Sequence, residues 1–138
     1  MRKITFFLFA ILILTFIGFK SNSYAQSSPV LYVCETYDSD THEIGISDRF
    51  TTGYLTIMVK CNDPLGLKDV SIQFDKLDCN TGTFKYSKKF KYTVEPTMSY
   101  IFFEGKDLNF TSPGIYRIFL LDEFGKTVTS GLVEIISK

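Results

Sequence analysis

The sequence predicts an all-β fold, an antiparallel sandwich of about seven strands. Its segments between residues 30 and 136 are short, rich in β-branched and aromatic residues, and separated by turn-forming clusters such as residues 79–82 (CNTG) and 123–126 (EFGK). None of these segments has the sustained apolar period of 3.6 residues that an amphipathic helix needs. Seven strands with turns at this spacing are typical of two packed antiparallel sheets.

Alternation of apolar and polar residues predicts the individual strands. In residues 69–77 Val70, Ile72 and Phe74 alternate with Ser71 and Gln73, which gives that strand one buried and one exposed face. The predicted strands are residues 30–34, 54–61, 69–77, 84–94, 99–104, 115–122 and 127–136. The apolar faces predict a core that consists of Ile57, Val59, Val70, Ile72, Phe74, Phe84, Tyr86, Tyr116, Ile118 and Leu120.

Residues 84–94 (FKYSKKFKYTV) alternate aromatic residues with lysines. Such a strand could bind an anionic glycan, a lipid headgroup or an acidic protein. The favoured interpretation is simpler, because most of the aromatic side chains point away from most of the lysines. It is an exposed strand whose lysines discourage edge-to-edge aggregation.

The N-terminus has the layout of a secretory signal peptide. Arg2 and Lys3 precede an apolar run of sixteen residues, 4–19, and the small residues Ser23 and Ala25 have the spacing that a signal peptidase recognises. The run is shorter than the ~18 or more residues expected of a spanning helix. We therefore expect cleavage after Ala25, no stable membrane span afterwards, and a protein exported to the periplasm or the cell exterior.

Cleavage would leave residues 26–138 as one domain, large enough to fold around its own core. The removed segment takes three basic residues and no acidic one, so the mature domain has 12 basic and 15 acidic residues, a net charge of −3. A nucleic-acid-binding domain needs a strongly basic face. This balance argues against nucleic acid as a partner.

The three cysteines are predicted to lie at different ends of the sandwich. If each strand reverses the direction of the one before it, Cys34 and Cys79 emerge at one pole and Cys61 at the other. Strands of seven or more residues separate the poles by over ~20 Å. A disulfide needs Cα atoms within about 7 Å. Cys34–Cys79 is therefore the one bridge expected. A single histidine and the lack of a C-x-x-C pair argue against structural zinc.

Residues 35–53 show no apolar periodicity and are predicted to form a long connection at the same pole as Cys34. Other connections at that pole would bring further acidic residues to it. Convergent loops at one end of a sandwich often form its binding surface. The predicted binding residues are Tyr37, Asp38, Asp40, Glu43, Asp48, Asp78 and Asp107, with Tyr37 as the aromatic contact. The stretch lacks the glycine and terminal glutamate of a calcium-binding hand loop, so no metal is assigned to it.

The C-terminal third resembles a known family. Residues 110–135 (FTSPGIYRIFLLDEFGKTVTSGLVEI) resemble the last two strands of immunoglobulin-like and fibronectin-type domains, in which a Pro-Gly turn leads to a tyrosine. The resemblance implies an immunoglobulin-like sandwich in which the hydroxyl of Tyr116 bonds back to the upstream backbone, a tyrosine corner. The chain has no tryptophan, unlike antibody domains. Such folds host many functions.

Catalytic motifs are absent from the sequence. The only histidine, His42, lies in a polar stretch, and there is neither a G-x-S-x-G motif nor a glycine-rich phosphate loop. The leading hypothesis is a non-enzymatic, cofactor-free binding or envelope-accessory module with a protein or glycan partner. Two alternatives stay open, a Ca²⁺-stabilised surface module and a carboxylate-based hydrolase.

Overall fold

The computed structural model describes residues 28–138. The predicted signal peptide, residues 1–25, lies outside them. The strands are β1 (Val30–Cys34), β2 (Thr36–Asp38), β3 (His42–Ile44), β4 (Arg49–Thr51), β5 (Gly53–Tyr54), β6 (Thr56–Lys60), β7 (Asp69–Asp78), β8 (Thr83–Thr93), β9 (Tyr100–Phe103), β10 (Asn109–Phe110), β11 (Gly114–Leu121) and β12 (Thr127–Ile136). A 3₁₀ turn spans Lys106–Leu108. Within residues 28–138 no helix is long and apolar enough to cross a membrane.

Two main sheets pack against each other to form the sandwich. The first has the strand order β1-β6-β9 and the second the order β4-β12-β11-β7-β8. The seven predicted strands correspond to β1, β6, β7, β8, β9, β11 and β12. β1 runs antiparallel to β6, in agreement with the prediction that each strand reverses the direction of the one before it. The all-β prediction is confirmed. Of the five further short strands, four lie in the predicted connections, and β5 overlaps the start of the predicted strand 54–61.

The order of these seven strands is that of an immunoglobulin-like domain. The first, second and fifth (β1, β6, β9) form one sheet, and the third, sixth and seventh (β7, β11, β12) lie in the other. The fourth, β8, pairs with β7. The predicted tyrosine corner is also present, since the hydroxyl of Tyr116 donates a 2.8 Å hydrogen bond to the carbonyl of Ser112. The fold is an immunoglobulin-like β-sandwich.

The tyrosine corner gives a first expected result. Tyr116 is buried, and its hydroxyl contacts both the carbonyl and the side-chain oxygen of Ser112. Tyr116→Phe keeps the ring but removes this partly buried hydrogen bond, so we expect a loss of about 0.5–1.5 kcal/mol in the free energy of unfolding, measured by urea denaturation. Tyr86→Phe is the matched control, since Tyr86 is 65% exposed. Equal stability of the two variants would contradict the assignment.

Eight of the ten predicted core residues are buried, and two are not. Phe84 is only partly buried and Tyr86 is exposed. The reason is a β-bulge. Phe74 pairs with Lys88 whereas Asp75 pairs with Tyr86, which leaves Ser87 as an extra residue in β8. One extra residue reverses which side chains face the core. The core prediction was therefore wrong for the half of β8 that precedes the bulge.

The edge position predicted for the lysine-rich strand is confirmed. β8 is the outer strand of its sheet, and Lys85, Lys89 and Lys91 are exposed. Lysines and a bulge are both devices by which natural sheets block pairing with other chains. β8 is thus a protected edge.

Candidate functional site

Residues 35–53 are not the open polar loop that the sequence predicted. β2 and β3 form an antiparallel hairpin in which Tyr37 pairs with Glu43. The carboxylate of Asp38 shapes its turn by accepting the backbone N–H groups of Asp40 (2.9 Å) and Thr41 (3.0 Å). Aspartate commonly stabilises turns in this way. Further along, β4 pairs in parallel with β12. The connection is a structured insertion.

The hairpin packs on the outer face of the three-stranded sheet. Leu31 and Val33 of β1 belong to the sandwich core, so Tyr32 and Cys34 point to the opposite face. Met58, which pairs with Tyr32, is fully buried although it is not part of that core. These residues therefore belong to a second packed layer outside the sandwich.

Aromatic contacts hold this layer together. The ring of Tyr37 stacks on Phe102 with centroids 4.3 Å apart and meets the edge of Tyr100 at 6.0 Å. His42 also lies against Tyr100, at 6.5 Å. Such ring pairs contribute beyond the area they bury. We call Tyr32, Tyr37, His42, Tyr100 and Phe102 the outer aromatic cluster.

Glu43 is the charged centre of the cluster. Its carboxylate accepts hydrogen bonds from the hydroxyls of Tyr32 and Tyr100, which lower the pKa of Glu43 to about 2. Lys60 lies nearby, with its Nζ 5.1 Å from the centroid of the Tyr100 ring. Burial and the Glu43 carboxylate raise the pKa of both tyrosines. The site therefore holds a fixed negative charge between two neutral phenols.

These protonation states bear on the chemistry of the site. Glu43 stays ionised at neutral pH, whereas a general acid must hold a proton to donate. Burial raises the pKa of the Cys34 thiol to about 11, so it is protonated, whereas a nucleophile needs the thiolate. Neither Glu43 as a general acid nor Cys34 as a nucleophile is therefore in the protonation state that the role requires.

A cavity of about 450 Å³ adjoins the cluster. Val30, Tyr32, Lys60 and Asn62 line it, and Val30 is 59% exposed. Apolar lining with a few polar groups is usual for ligand sites. The cavity, the cluster and the Glu43 charge together form the candidate site.

The remaining predicted site residues are spread over separate connections. Asp48 precedes β4, Asp107 is in the 3₁₀ turn, and Asp78 ends β7, where it forms an ion pair with Lys85 at 2.5 Å. Hydrogen bonds lower the pKa of Asp38, and the pKa of Asp78 is lowered chiefly by Lys85. A shared binding surface at this pole stays a prediction. Over residues 28–138, no group of three His, Cys, Asp or Glu side chains is arranged to hold a metal.

The three cysteines all lie within the described residues, and none of them is in a disulfide. Cys34 is fully buried beneath the hairpin, and its thiol donates to the carbonyl of Thr36 at 3.3 Å. Cys79 is exposed in the turn between β7 and β8. The predicted Cys34–Cys79 bridge is thus absent from the structure. Cys34 points to the outer face of the three-stranded sheet, whereas Cys79 follows β7 of the five-stranded sheet.

Sequence reasoning selected Tyr37 and Glu43 but missed the residues that they contact. Tyr32, Lys60, Tyr100 and Phe102 occupy strands β1, β6 and β9, for which the sequence predicts strands but no site residue. One signal was available. In residues 99–104 aromatic residues occupy both faces of the strand, so a second apolar layer had to cover the outer face.

The pKa of Glu43 gives a second expected result. Because it lies below the usual glutamate value near 4.3, the Tyr32–Glu43 contact stabilises the folded hairpin above that pH. This contribution is lost as the pH falls through about 2. A ¹³C NMR titration of the Glu43 carboxyl should give a midpoint near 2, and Tyr32→Phe should move it upward. A wild-type midpoint near 4.3 would contradict the docked geometry.

Comparisons with known proteins give structural likeness only. No protein-family model matches the chain, and no curated protein matches it. Among solved structures, the PmoD soluble domain from Methylocystis sp. (Rockwell) has a TM-score of 0.49 at 14% identity, over 80% of this chain and 92% of that one. An immunoglobulin-like protein from Pseudomonas aeruginosa has a TM-score of 0.46 at 11% identity, over 81% of this chain and 99% of that one.

Proposed function

We propose that this chain is an exported, non-catalytic binding or envelope-accessory domain that recognises a protein or glycan partner through the candidate site. The proposal rests on the hairpin formed by β2 and β3. The hairpin orders aromatic side chains around the negative charge of Glu43, on the outer face of the three-stranded sheet, which does not contribute to the sandwich core. Tyrosine anchors beside a pocket are typical of binding hot spots.

The chemistry of the site supports recognition of a partner with both apolar and polar groups. Phe102 is 42% exposed although it stacks on Tyr37, so part of its ring is available for contact. Lys60 and Asn62 add donors at the cavity. A protein side chain or the apolar face of a sugar ring would complement this combination.

Binding is tested with a matched pair of variants. Val30 lines the cavity and is 59% exposed, whereas Leu132 is 60% exposed on the other sheet. The tagged chain from residue 26 onward is used to capture partners from envelope extract and is incubated with a glycan array. Val30→Lys should abolish binding of whatever the wild type retains, and Leu132→Lys should not. Equal binding by both variants would remove the site from consideration.

Export is tested separately. The N-terminal sequence of the protein recovered from cell fractions should begin at Gln26, outside the cytoplasm. An intact N-terminus in the cytoplasmic fraction would contradict export. Turnover on a hydrolase substrate panel, abolished by a single substitution, would instead favour an enzyme.

A further inference from the structure

The outer strands of the two main sheets differ in how they are protected from other chains. β8 carries exposed lysines and a bulge, and β4 has only three residues. β1 is shielded by β12 of the second sheet. A Cβ atom added at Gly131 of β12 would come within 3.0 Å of the carbonyl oxygen of Leu31 in β1. β9 (Tyr100–Phe103) is also short, with four residues, but it contains no lysine, proline or bulge. It is the unprotected outer strand.

The hydrogen-bond pattern shows which groups β9 presents at its free side. The N–H of Cys61 donates to the carbonyl of Ser99 at 2.7 Å, and β6 continues from there in regular antiparallel register with Ile101 opposite Val59. Backbone groups in a strand point alternately to its two sides. Those of Ser99, Ile101 and Phe103 therefore face β6, and those of Tyr100 and Phe102 face outward.

We propose that β9 pairs antiparallel with β9 of a second copy of this chain, around a two-fold axis at Phe102. Antiparallel pairing sets residues with outward backbone groups directly opposite each other. Phe102 would then face Phe102 of the second copy, and Tyr100 would face Glu104. The result is a continuous six-stranded sheet, with the two outer aromatic clusters side by side.

Charge complementarity supports a second copy as the occupant. Lys60 lies over the Tyr100 ring with its Nζ 5.1 Å from the ring centroid. Glu104 directly follows β9 and is exposed. The two-fold register places Glu104 of each copy opposite Tyr100 of the other, on the face that carries Lys60. Lys60, which already interacts with Glu43 of its own chain, thereby gains a second carboxylate from the other copy. Opposite charges across strands stabilise pairing.

The test uses the purified chain from residue 26 onward in sedimentation equilibrium. The wild type should form a concentration-dependent dimer. Phe102→Lys, which sets two like charges face to face on the axis, should be monomeric. Tyr86→Lys should still dimerise, because Tyr86 is an exposed aromatic residue on the outer strand of the other sheet. Circular dichroism checks that each variant is folded.

A charge swap distinguishes this register from other modes of association. Glu104→Lys should weaken the dimer at least about tenfold, and the Lys60→Glu/Glu104→Lys double variant should restore it. A wild type that stays monomeric up to about 1 mM, or a double variant as weak as Glu104→Lys, would overturn the proposal. No partner is present in this experiment, so its failure leaves the proposed binding function untouched.

Discussion

Replacing Phe74 with alanine is expected to lower the free energy of unfolding by about 3–5 kcal/mol. Phe74 is fully buried in β7, between β8 and β11. Its ring meets Phe110 edge-on at 5.3 Å and Phe90 at 6.4 Å. Alanine would remove both contacts and leave a cavity. Because β7 is hydrogen-bonded to β8 on one side and to β11 on the other, the backbone cannot move to fill that cavity. Urea denaturation measures the loss.

Tyr86→Ala is the matched control for this loss. It removes an aromatic side chain that is 65% exposed on the neighbouring strand, so its effect should stay within about 0.5 kcal/mol. A cost below about 1 kcal/mol for Phe74→Ala would show that the ring does not fill the core.

Phe74 also shows where sequence reasoning succeeds. From Val70 to Phe74, β7 alternates buried and partly buried residues, so the sequence alternation predicts the burial of Val70, Ile72 and Phe74 directly. The tyrosine corner was predictable for a similar reason. The Pro-Gly turn and Tyr116 are local in sequence, and Tyr116 bonds to a residue only four positions upstream.

The bulge in β8 shows where it fails. Phe84, Tyr86, Phe90 and Tyr92 all occupy even positions, which places them on one face of a regular strand, and only the interruption at Ser87-Lys88 breaks the alternation with lysine. That interruption does not by itself mark Ser87 as the extra residue. The bulge is imposed by pairing with β7, which is a tertiary constraint. Only the pairing reveals that the two halves of the strand face opposite ways.

The hairpin on the candidate site was unpredictable for a further reason. Tyr37 depends on Phe102 and Glu43 on Tyr32 and Tyr100, contacts between strands that are distant in the chain. Two strands of three residues have little stability alone. Their structure comes from the surface beneath them, which explains why residues 35–53 have no apolar period of their own.

The same bulge determines the position of Lys88. Because Lys88 pairs with Phe74, it lies on the inner face of β8. Its Nζ lies 4.9 Å from the ring centroid of Phe74 and 5.4 Å from those of Phe90 and Phe110. It also donates hydrogen bonds to the carbonyls of Asp107 (2.9 Å) and Asn109 (3.1 Å). Lys88 thus links the edge of one sheet to the connection that follows β9.

Reversing this charge is expected to have the second large effect. Lys88→Glu would set a carboxylate against the negative faces of three rings and two carbonyl oxygens, so we expect a loss of about 3 kcal/mol or more in the free energy of unfolding. Lys88→Met keeps a long side chain against the rings but leaves two carbonyls without a donor, which should cost about 1–3 kcal/mol. Lys89→Glu, at an exposed position on the next residue, should change stability by less than about 0.5 kcal/mol. Denaturation of the three variants under one condition ranks them. If Lys88→Glu were no worse than Lys89→Glu, Lys88 would have to lie on the outer face, and the bulge at Ser87 could not be present.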